Sequence, residues 1–333
     1  MIDEIGDEES NGAMQSGGGN EDGSVSGGED GGNLSRRNVL KSTSTAAVGA
    51  AGLGAVSGTA SAEDTSNEDD ELDLGVFECV EDGLRIDCNK TVQLDPWWWH
   101  GDYNENFDVS SLGGEVLVYI HGLFAEPFAE EQATLLHRST GFDADNVVAM
   151  KWPSSHTSYT VPWDRAEEYG RKTADWIVDV LKTQNPGTTV NVVGHSLGGR
   201  AAFNMLNRLE ERGEQVGNVV AVGPADHGRF VCDHNESGDR IYNYYDGIRY
   251  GADNVYALYS SDDFAVGTMH ELWGDVFWYT PDGEGLGAEG PTCNNYPSNF
   301  TPVDVSAEVQ NHCEYYKPDG DTDALTNAVN GWL

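Results

Sequence analysis

The chain is 333 residues long and carries 18 Lys and Arg against 57 Asp and Glu, a formal net charge of −39. That balance excludes nucleic acid as a partner and equally an anionic membrane surface held by electrostatics, because both need a basic face. Aromatic residues at 10% exclude a wholly disordered acidic chain, and the length suits one large domain or two modest ones with tails.

Such a surface repels itself in dilute buffer, whereas at about 1 M salt the screening length falls to about 3 Å. The carboxylate excess, with 6 lysines among the 18 basic residues, predicts a salt-adapted, halophilic protein. Residues 1–34 hold nine acids and no base among many Gly and Ser, which reads as a solvated, disordered tail. Ser35-Arg36-Arg37-Asn38-Val39-Leu40-Lys41 follows, then a weakly apolar stretch from Thr45 to Gly58 and the small-residue pattern Ala60-Ser61-Ala62. Residues 35–62 thus resemble a twin-arginine signal peptide. They imply a precursor handled by the twin-arginine export machinery, a mature chain from Glu63 and a secreted, extracellular protein. The apolar stretch is too broken and short for a stable membrane span.

An acidic linker occupies residues 63–73. Export permits disulfides, and all five cysteines lie after the signal. Cys79 and Cys88 flank the short turn Glu81-Asp82-Gly83 and form the easiest pair. Spacing leaves Cys232, Cys293 and Cys313 undecided, and the odd count leaves one thiol free. No two stand in a C-x-x-C arrangement, so a zinc site is not expected.

Glu115–Ile120 (EVLVYI) reads as a strand, Glu126–Thr140 as a helix, and Asn146–Lys151 (NVVAMK) as a second strand. From Trp163 to Lys182 the stripe Ala166, Tyr169, Thr173, Trp176, Ile177, Val180 and Leu181 predicts a long amphipathic helix, ended by Asn185-Pro186-Gly187. Strand Val190–Val193, helix Gly199–Glu211, and strands Asn218–Val222 and Asn254–Tyr259 follow, with a strand-like Thr301–Val305 near the end. Short apolar strands alternating with helices predict an α/β fold, a mostly parallel sheet covered on both faces.

Gly194-His195-Ser196-Leu197-Gly198-Gly199 stands between a β-branched strand and an amphipathic helix. That context turns a common G-x-S-x-G into a nucleophile elbow: a serine on a tight turn that only small neighbours permit, its hydroxyl raised above the sheet edge. The helix N-terminus adds partial positive charge where an oxyanion would develop.

With this motif the sequence resembles the α/β-hydrolase superfamily, in its lipase and esterase branch, over residues 114 to 333. Strand VLVYI and His121-Gly122-Leu123-Phe124 resemble the lipase HG motif, so the resemblance implies oxyanion-hole N–H groups from Leu123 and Leu197. Lys151-Trp152-Pro153 through to the elbow is similar to pancreatic-type lipases. Asn311-His312, with Tyr315 and Tyr316, is similar to the surroundings of their catalytic histidine. The acid departs from that subfamily, whose aspartate position is Gly223 here, in Val222-Gly223-Pro224-Ala225. The wider superfamily places it after the next strand, where the D-x-x-V spacing in Asp262-Asp263-Phe264-Ala265-Val266 selects Asp263. Asp262 and Asp226 stand in reserve, both expected at the surface.

The order Ser, Asp, His demands a histidine after Asp263, which leaves His270 and His312. His270 is too near to come from another strand end, so His312 is assigned. His195 is read as lying on the wrong side of the turn, and His121 as part of the oxyanion loop. The remaining His100, His137, His156, His227 and His234 precede Asp263. The expected catalytic domain is 74–333, a secreted serine hydrolase cleaving small-molecule or lipid carboxyl esters through an acyl-enzyme on Ser196, His312 and Asp263, with no cofactor and no metal. A polyester depolymerase or thioesterase would use the same groups, and a non-catalytic binding protein retaining the fold is the alternative from another class. Trp97-Trp98-Trp99 could line a pocket or pack on the core, and residues 267–300 could form a lid or a packing insert. The Asp319 to Asp323 run lacks the glycine and glutamate of a calcium loop. Asn89, Asn235 and Asn299 head glycosylation sequons.

Overall fold

Apolar strands that do not alternate with polar residues need cover on both faces, and the computed structural model supplies it. It describes residues 79, 84–94, 103–155, 160–233, 243–263, 285–316 and 323–331, all within the unit that follows Glu68. The acidic tail, the twin-arginine segment, the linker, Trp97 to His100, His156, His234, Asn235, residues 264–284 with His270, and Asp319 to Thr322 lie outside the described residues.

The strands are β1 Lys90–Leu94, β2 Tyr103–Glu105, β3 Glu115–Ile120, β4 Val147–Lys151, β5 Thr189–His195, β6 Val216–Val222, β7 Ala252–Tyr259 and β8 Phe300–Asp304. They form one sheet in the order β2-β1-β4-β3-β5-β6-β7-β8. Every neighbouring pair is parallel except β1 with β2. The helices are α1 Ala129–Thr140, α2 Thr160–Trp176, α3 Leu197–Arg212, α4 Tyr245–Gly251, α5 Leu286–Glu289 and α6 Asp323–Val329, and α2 runs on through a π turn, Ile177–Leu181, to Gln184. This is the α/β-hydrolase architecture. Among the described residues no helix is long and apolar enough to cross a membrane.

Successive side chains of a strand point to opposite faces, and each face has its own core. Val116, Val118, Ile120, Val148, Met150 and Val192 pack with Tyr169 and Trp176 of α2 and Phe203 and Leu206 of α3. Leu117, Tyr119, Val147, Ala149, Val193 and Val220 pack with Leu135 and Leu136 of α1 and Leu325 of α6. The structure adds elements that the sequence pattern does not signal. β1 mixes polar and apolar residues, β2 has three residues, and α4, α5 and α6 span seven or fewer.

The disulfides correct the expected pairing of Cys79 with Cys88. Cys79 is joined to Cys313 and Cys232 to Cys293, with Cα atoms 4.8 and 6.0 Å apart, and Cys88 is the free thiol. The cause is tertiary. The N–H groups of Asp87 and Cys88 both donate to Thr134 Oγ1 on α1 at 3.1 Å, and Arg138 of that helix donates to Asp87 at 2.6 Å. Cys88 is thereby packed into the core beside α1, where burial pushes its thiol up to about 11.

Candidate active site

The C-terminal ends of β3, β5, β6, β7 and β8 lie along one edge of the sheet, the edge where parallel sheets place their sites. Strand β5 ends at His195 and α3 begins at Leu197, so Ser196 alone turns the chain, at φ 58° and ψ −122°. A non-glycine residue in such a conformation stores about 1–3 kcal/mol, which its surroundings must hold. The Ser196 N–H donates to Val222 O at 2.9 Å, and its carbonyl accepts from the N–H groups of Gly199 at 2.9 Å and Ala225 at 3.1 Å. The flanking glycines are steric requirements. A Cβ on Gly194 would stand 2.3 Å from Gly198 O, and one on Gly198 would stand 2.0 Å from Ile120 O.

Among the described residues only Cys79, Phe124 and Ser196 are non-glycine residues at positive φ. Phe124 follows Leu123 in the HG loop, and Cys79 is bonded to Cys313, the residue after His312. Backbone strain is thus concentrated around this one edge.

His312, 1% exposed, directs Nδ1 at the Asp263 carboxylate, 2.8 Å from Oδ2 and 3.1 Å from Oδ1. A carboxylate only accepts, so Nδ1 carries the proton and Nε2 is left as the basic nitrogen. The Tyr315 hydroxyl also donates to Asp263 Oδ2, at 3.1 Å. Burial and the Asp263 charge hold that phenol well above its ordinary range, so it remains a donor. The two loops are tied together: Ser260 Oγ donates to Val309 O at 2.6 Å and the Ser261 N–H donates to Ser306 Oγ at 2.9 Å. Gly223, the acid position of the pancreatic-type pattern, lies against this pair. A Cβ there would be 2.9 Å from Asp263 Oδ2 and 3.0 Å from the Tyr315 ring.

Leu123 and Leu197 are both buried. The HG loop lies against the serine, since a Cβ on Gly122 would stand 2.8 Å from Ser196 Cβ and 3.3 Å from its Oγ. His121 braces that loop. It accepts the Trp152 N–H at Nε2, 3.1 Å away, which puts its own proton on Nδ1, donated to Gly122 O at 2.9 Å. The Trp152 indole N–H returns a bond to His121 O at 3.0 Å, with the rings stacked 5.5 Å apart. Burial lowers the His121 pKa to about 4, so the ring is neutral.

The reserve acids part company. Asp262 is exposed. Asp226, expected at the surface, is fully buried, and both its oxygens accept from Arg200 Nη1 at 3.0 Å. Tyr244 donates to Asp226 at 2.7 Å, the His227 N–H donates at 2.8 Å, and the Arg200 guanidinium lies 3.9 Å from the Trp163 ring centre. The reason is that Arg200 sits one turn after Ser196 on α3 and needs a counter-charge inside the fold.

Residues 285–300 of the possible lid are stitched into the sheet edge. The Leu286 N–H donates to Asp226 O at 2.7 Å, the Gly287 N–H to Pro224 O at 3.0 Å, and the Ser260 N–H to Gly287 O at 3.0 Å. The sequon amide Asn299 Nδ2 donates to Ile248 O and Ala252 O at 2.7 and 3.0 Å, bonds a glycan would break. His195, read from the sequence as lying on the wrong side of the turn, packs on His312, their ring centres 4.4 Å apart. The available signal was its place beside the nucleophile. Among the described residues no group of three or more His, Cys, Asp or Glu could hold a metal ion.

A family model for an alpha/beta hydrolase of unknown function matches residues 104–278, a little over half of the chain. Among solved structures, the chain is similar to an esterase of Pyrobaculum calidifontis, with 14% identity, 69% of this chain and 78% of that one covered, and a TM-score of 0.37. It is similar to a serine hydrolase without a lid from Xanthomonas campestris, at 14%, 67% and 84%, and 0.36. A thermophilic esterase of Thermogutta terrifontis gives 12%, 72% and 88%, and 0.39. Likeness at such scores carries no weight for activity. No curated protein matches the chain.

Proposed function

The chain belongs to this family of alpha/beta hydrolases, and from that premise we propose that it is a serine hydrolase that cleaves carboxyl esters. The observation that carries the reading is the approach of His312 Nδ1 to the Asp263 carboxylate, at 2.8 Å, on the sheet edge where Ser196 is held at positive φ. In this reading Ser196 Oγ attacks the ester carbonyl while His312 Nε2 takes its proton. The N–H groups of Leu123 and Leu197 receive the oxyanion, and each such donor is worth about 10²–10³ in kcat. Collapse of the tetrahedral adduct breaks the bond to the alcohol, which leaves with the proton from His312. Water, deprotonated by His312, then releases the acid from Ser196. Asp263 holds the tautomer and stabilises the imidazolium.

We place the enzyme outside the cell and in molar salt. Arg36-Arg37 with the apolar stretch and Ala60-Ser61-Ala62 supports export, and two disulfides are compatible with an oxidising compartment. The net charge supports salt adaptation. On α2 and α3, Arg171, Arg208 and Arg212 already hold Asp175, Asp179 and Glu211, so salt must screen the remaining acidic excess.

A fluorophosphonate probe in molar salt tests the reading. The folded protein is expected to label at one site, and Ser196→Ala to abolish labelling. A panel of p-nitrophenyl esters and thioesters of increasing length then sets the preference. Folded protein that neither labels nor turns over any ester would instead be a binding protein that keeps the fold.

A further inference from the structure

His195 is the last residue of β5 and is 1% exposed. Its Nε2 lies 3.0 Å from His312 O. A carbonyl only accepts, so Nε2 carries the proton and donates. Nδ1 is then a buried lone pair, and among the described residues it has no hydrogen-bond partner. An apolar side chain would leave no unpaired lone pair, so packing alone does not explain an imidazole here.

What the imidazole adds is the bond to His312. The carbonyl it meets lies in the loop between β8 and the turn Glu314–Tyr316, outside any strand or helix. The bond joins the immediate neighbour of the nucleophile to the main chain of the base, across 117 residues of sequence. We propose that His195 is a positioning residue whose Nε2–H, donated to the His312 carbonyl, sets the distance between Ser196 and the base. This rests on the reading of Ser196 and His312 as nucleophile and base. The titratable groups facing His195 are His312, Tyr315, Tyr316 and His121. Burial first, and His312 second, hold its ring well below the ordinary histidine range. It therefore adds no second positive charge beside a His312 imidazolium.

Two variants of the full chain separate this role from packing. His195→Gln loses the ring and keeps an N–H of similar reach, whereas His195→Phe keeps a ring and loses the donor. The rate of fluorophosphonate labelling at Ser196 is measured across pH in molar salt, alongside the melting temperature. His195→Gln is expected to label within about threefold of wild type, and His195→Phe about 10–100-fold more slowly, as misplacement by about 1 Å would cause. The acid limb of the profile should stay in place for His195→Gln and move for His195→Phe. A His195→Phe variant that labels like wild type overturns the proposal, as does a His195→Gln variant slowed more than tenfold while folded. The second result decides even if His195→Phe does not fold. Folded wild type that fails to label overturns the hydrolase reading itself, which a labelled wild type with a fast His195→Phe does not.

Discussion

Two buried aspartates leave neighbouring strands at the same edge of the sheet, Asp226 after β6 and Asp263 after β7. Each accepts from a tyrosine, Tyr244 at 2.7 Å and Tyr315 at 3.1 Å, and each faces a nitrogen base on another element. Burial and hydrogen bonding barely distinguish them. The base does. Arg200 does not give up its proton in a protein, so it offers no base, and its pair with Asp226 braces α3 against the turn after β6. An imidazole can take up a proton and give it back, so in the proposed mechanism the same architecture around Asp263 serves proton transfer.

The sharpest way to break this contrast is to neutralise each aspartate in turn. Asp263→Asn should lower turnover by about 10⁴, as loss of the triad acid does in serine proteases, with circular dichroism and melting close to wild type. Asp226→Asn leaves Arg200 buried without its counter-charge and should cost about 3–5 kcal/mol of stability, while labelling per folded molecule is unchanged. A folded but inactive Asp226→Asn variant would exchange the roles assigned to the two pairs.

Each cluster also has its own disulfide. Cys79–Cys313 closes 234 residues and anchors the neighbour of His312, whereas Cys232–Cys293 closes 61 residues beside the turn that follows Asp226. Loss of either should cost about 2–5 kcal/mol. Only Cys313→Ser is expected to slow labelling of the folded protein as well, by about tenfold or more, because the loop that carries His312 loses its anchor. Equal labelling by Cys313→Ser and Cys232→Ser would show that the Cys79–Cys313 bridge serves stability alone.

A third difference between the clusters is their response to acid. His121 and His195, both buried and neutral on the histidine side, charge more readily unfolded than folded. For His121, whose pKa falls from 6.5 to about 4, the unfolded chain binds the extra proton first. Stability is therefore full above pH 6.5 and is lost progressively down to about pH 4, by about 3 kcal/mol. Molar salt keeps the protonation of surface acids from masking the trend. Melting temperature should fall from pH 7 to 5, and His195→Gln should shallow the slope by removing one ring. A flat profile would mean that these histidines are not held neutral.

These contrasts also show which parts of the molecule were legible in the sequence. The sheet was, because EVLVYI, VNVV and NVVAV are buried on both faces and carry unbroken apolar runs. The elbow was, because strand, serine and helix are contiguous. Asp263 and His312, which lie 2.8 Å apart, could be named from the order and D-x-x-V spacing that the superfamily resemblance implies. The partner of Asp226 could not, since Arg200 is 26 residues away and meets it only once β6 lies beside α3. The cysteine pairing was hidden for the same reason: proximity in sequence favoured Cys88, and the bonds of Asp87 and Cys88 to Thr134 decided otherwise. β1 and β2 lie at the sheet margin, where polar side chains are tolerated and the apolar signal is diluted.

The smallest expected effect tests the contrast most finely, because it deletes the same atom from both clusters. Tyr315→Phe removes one donor from Asp263 and keeps the ring that packs near Gly223. The carboxylate then has one bond fewer to disperse its charge and holds the His312 imidazolium more strongly. The acid limb of the labelling profile should therefore move to higher pH. Above that limb the rate should fall only severalfold, since the His312 bond to Asp263 remains. Tyr244→Phe removes the donor to Asp226, and with it an oxygen that accepts from Arg200 Nη1 at 2.9 Å, while Asp226 retains Arg200 and the His227 N–H. It should cost about 1–3 kcal/mol of stability and leave the limb where it was, because arginine has no titration in that range. A limb that moved with Tyr244→Phe would mean that Asp226 and His312 are electrostatically coupled and that the brace is also part of the proton chemistry.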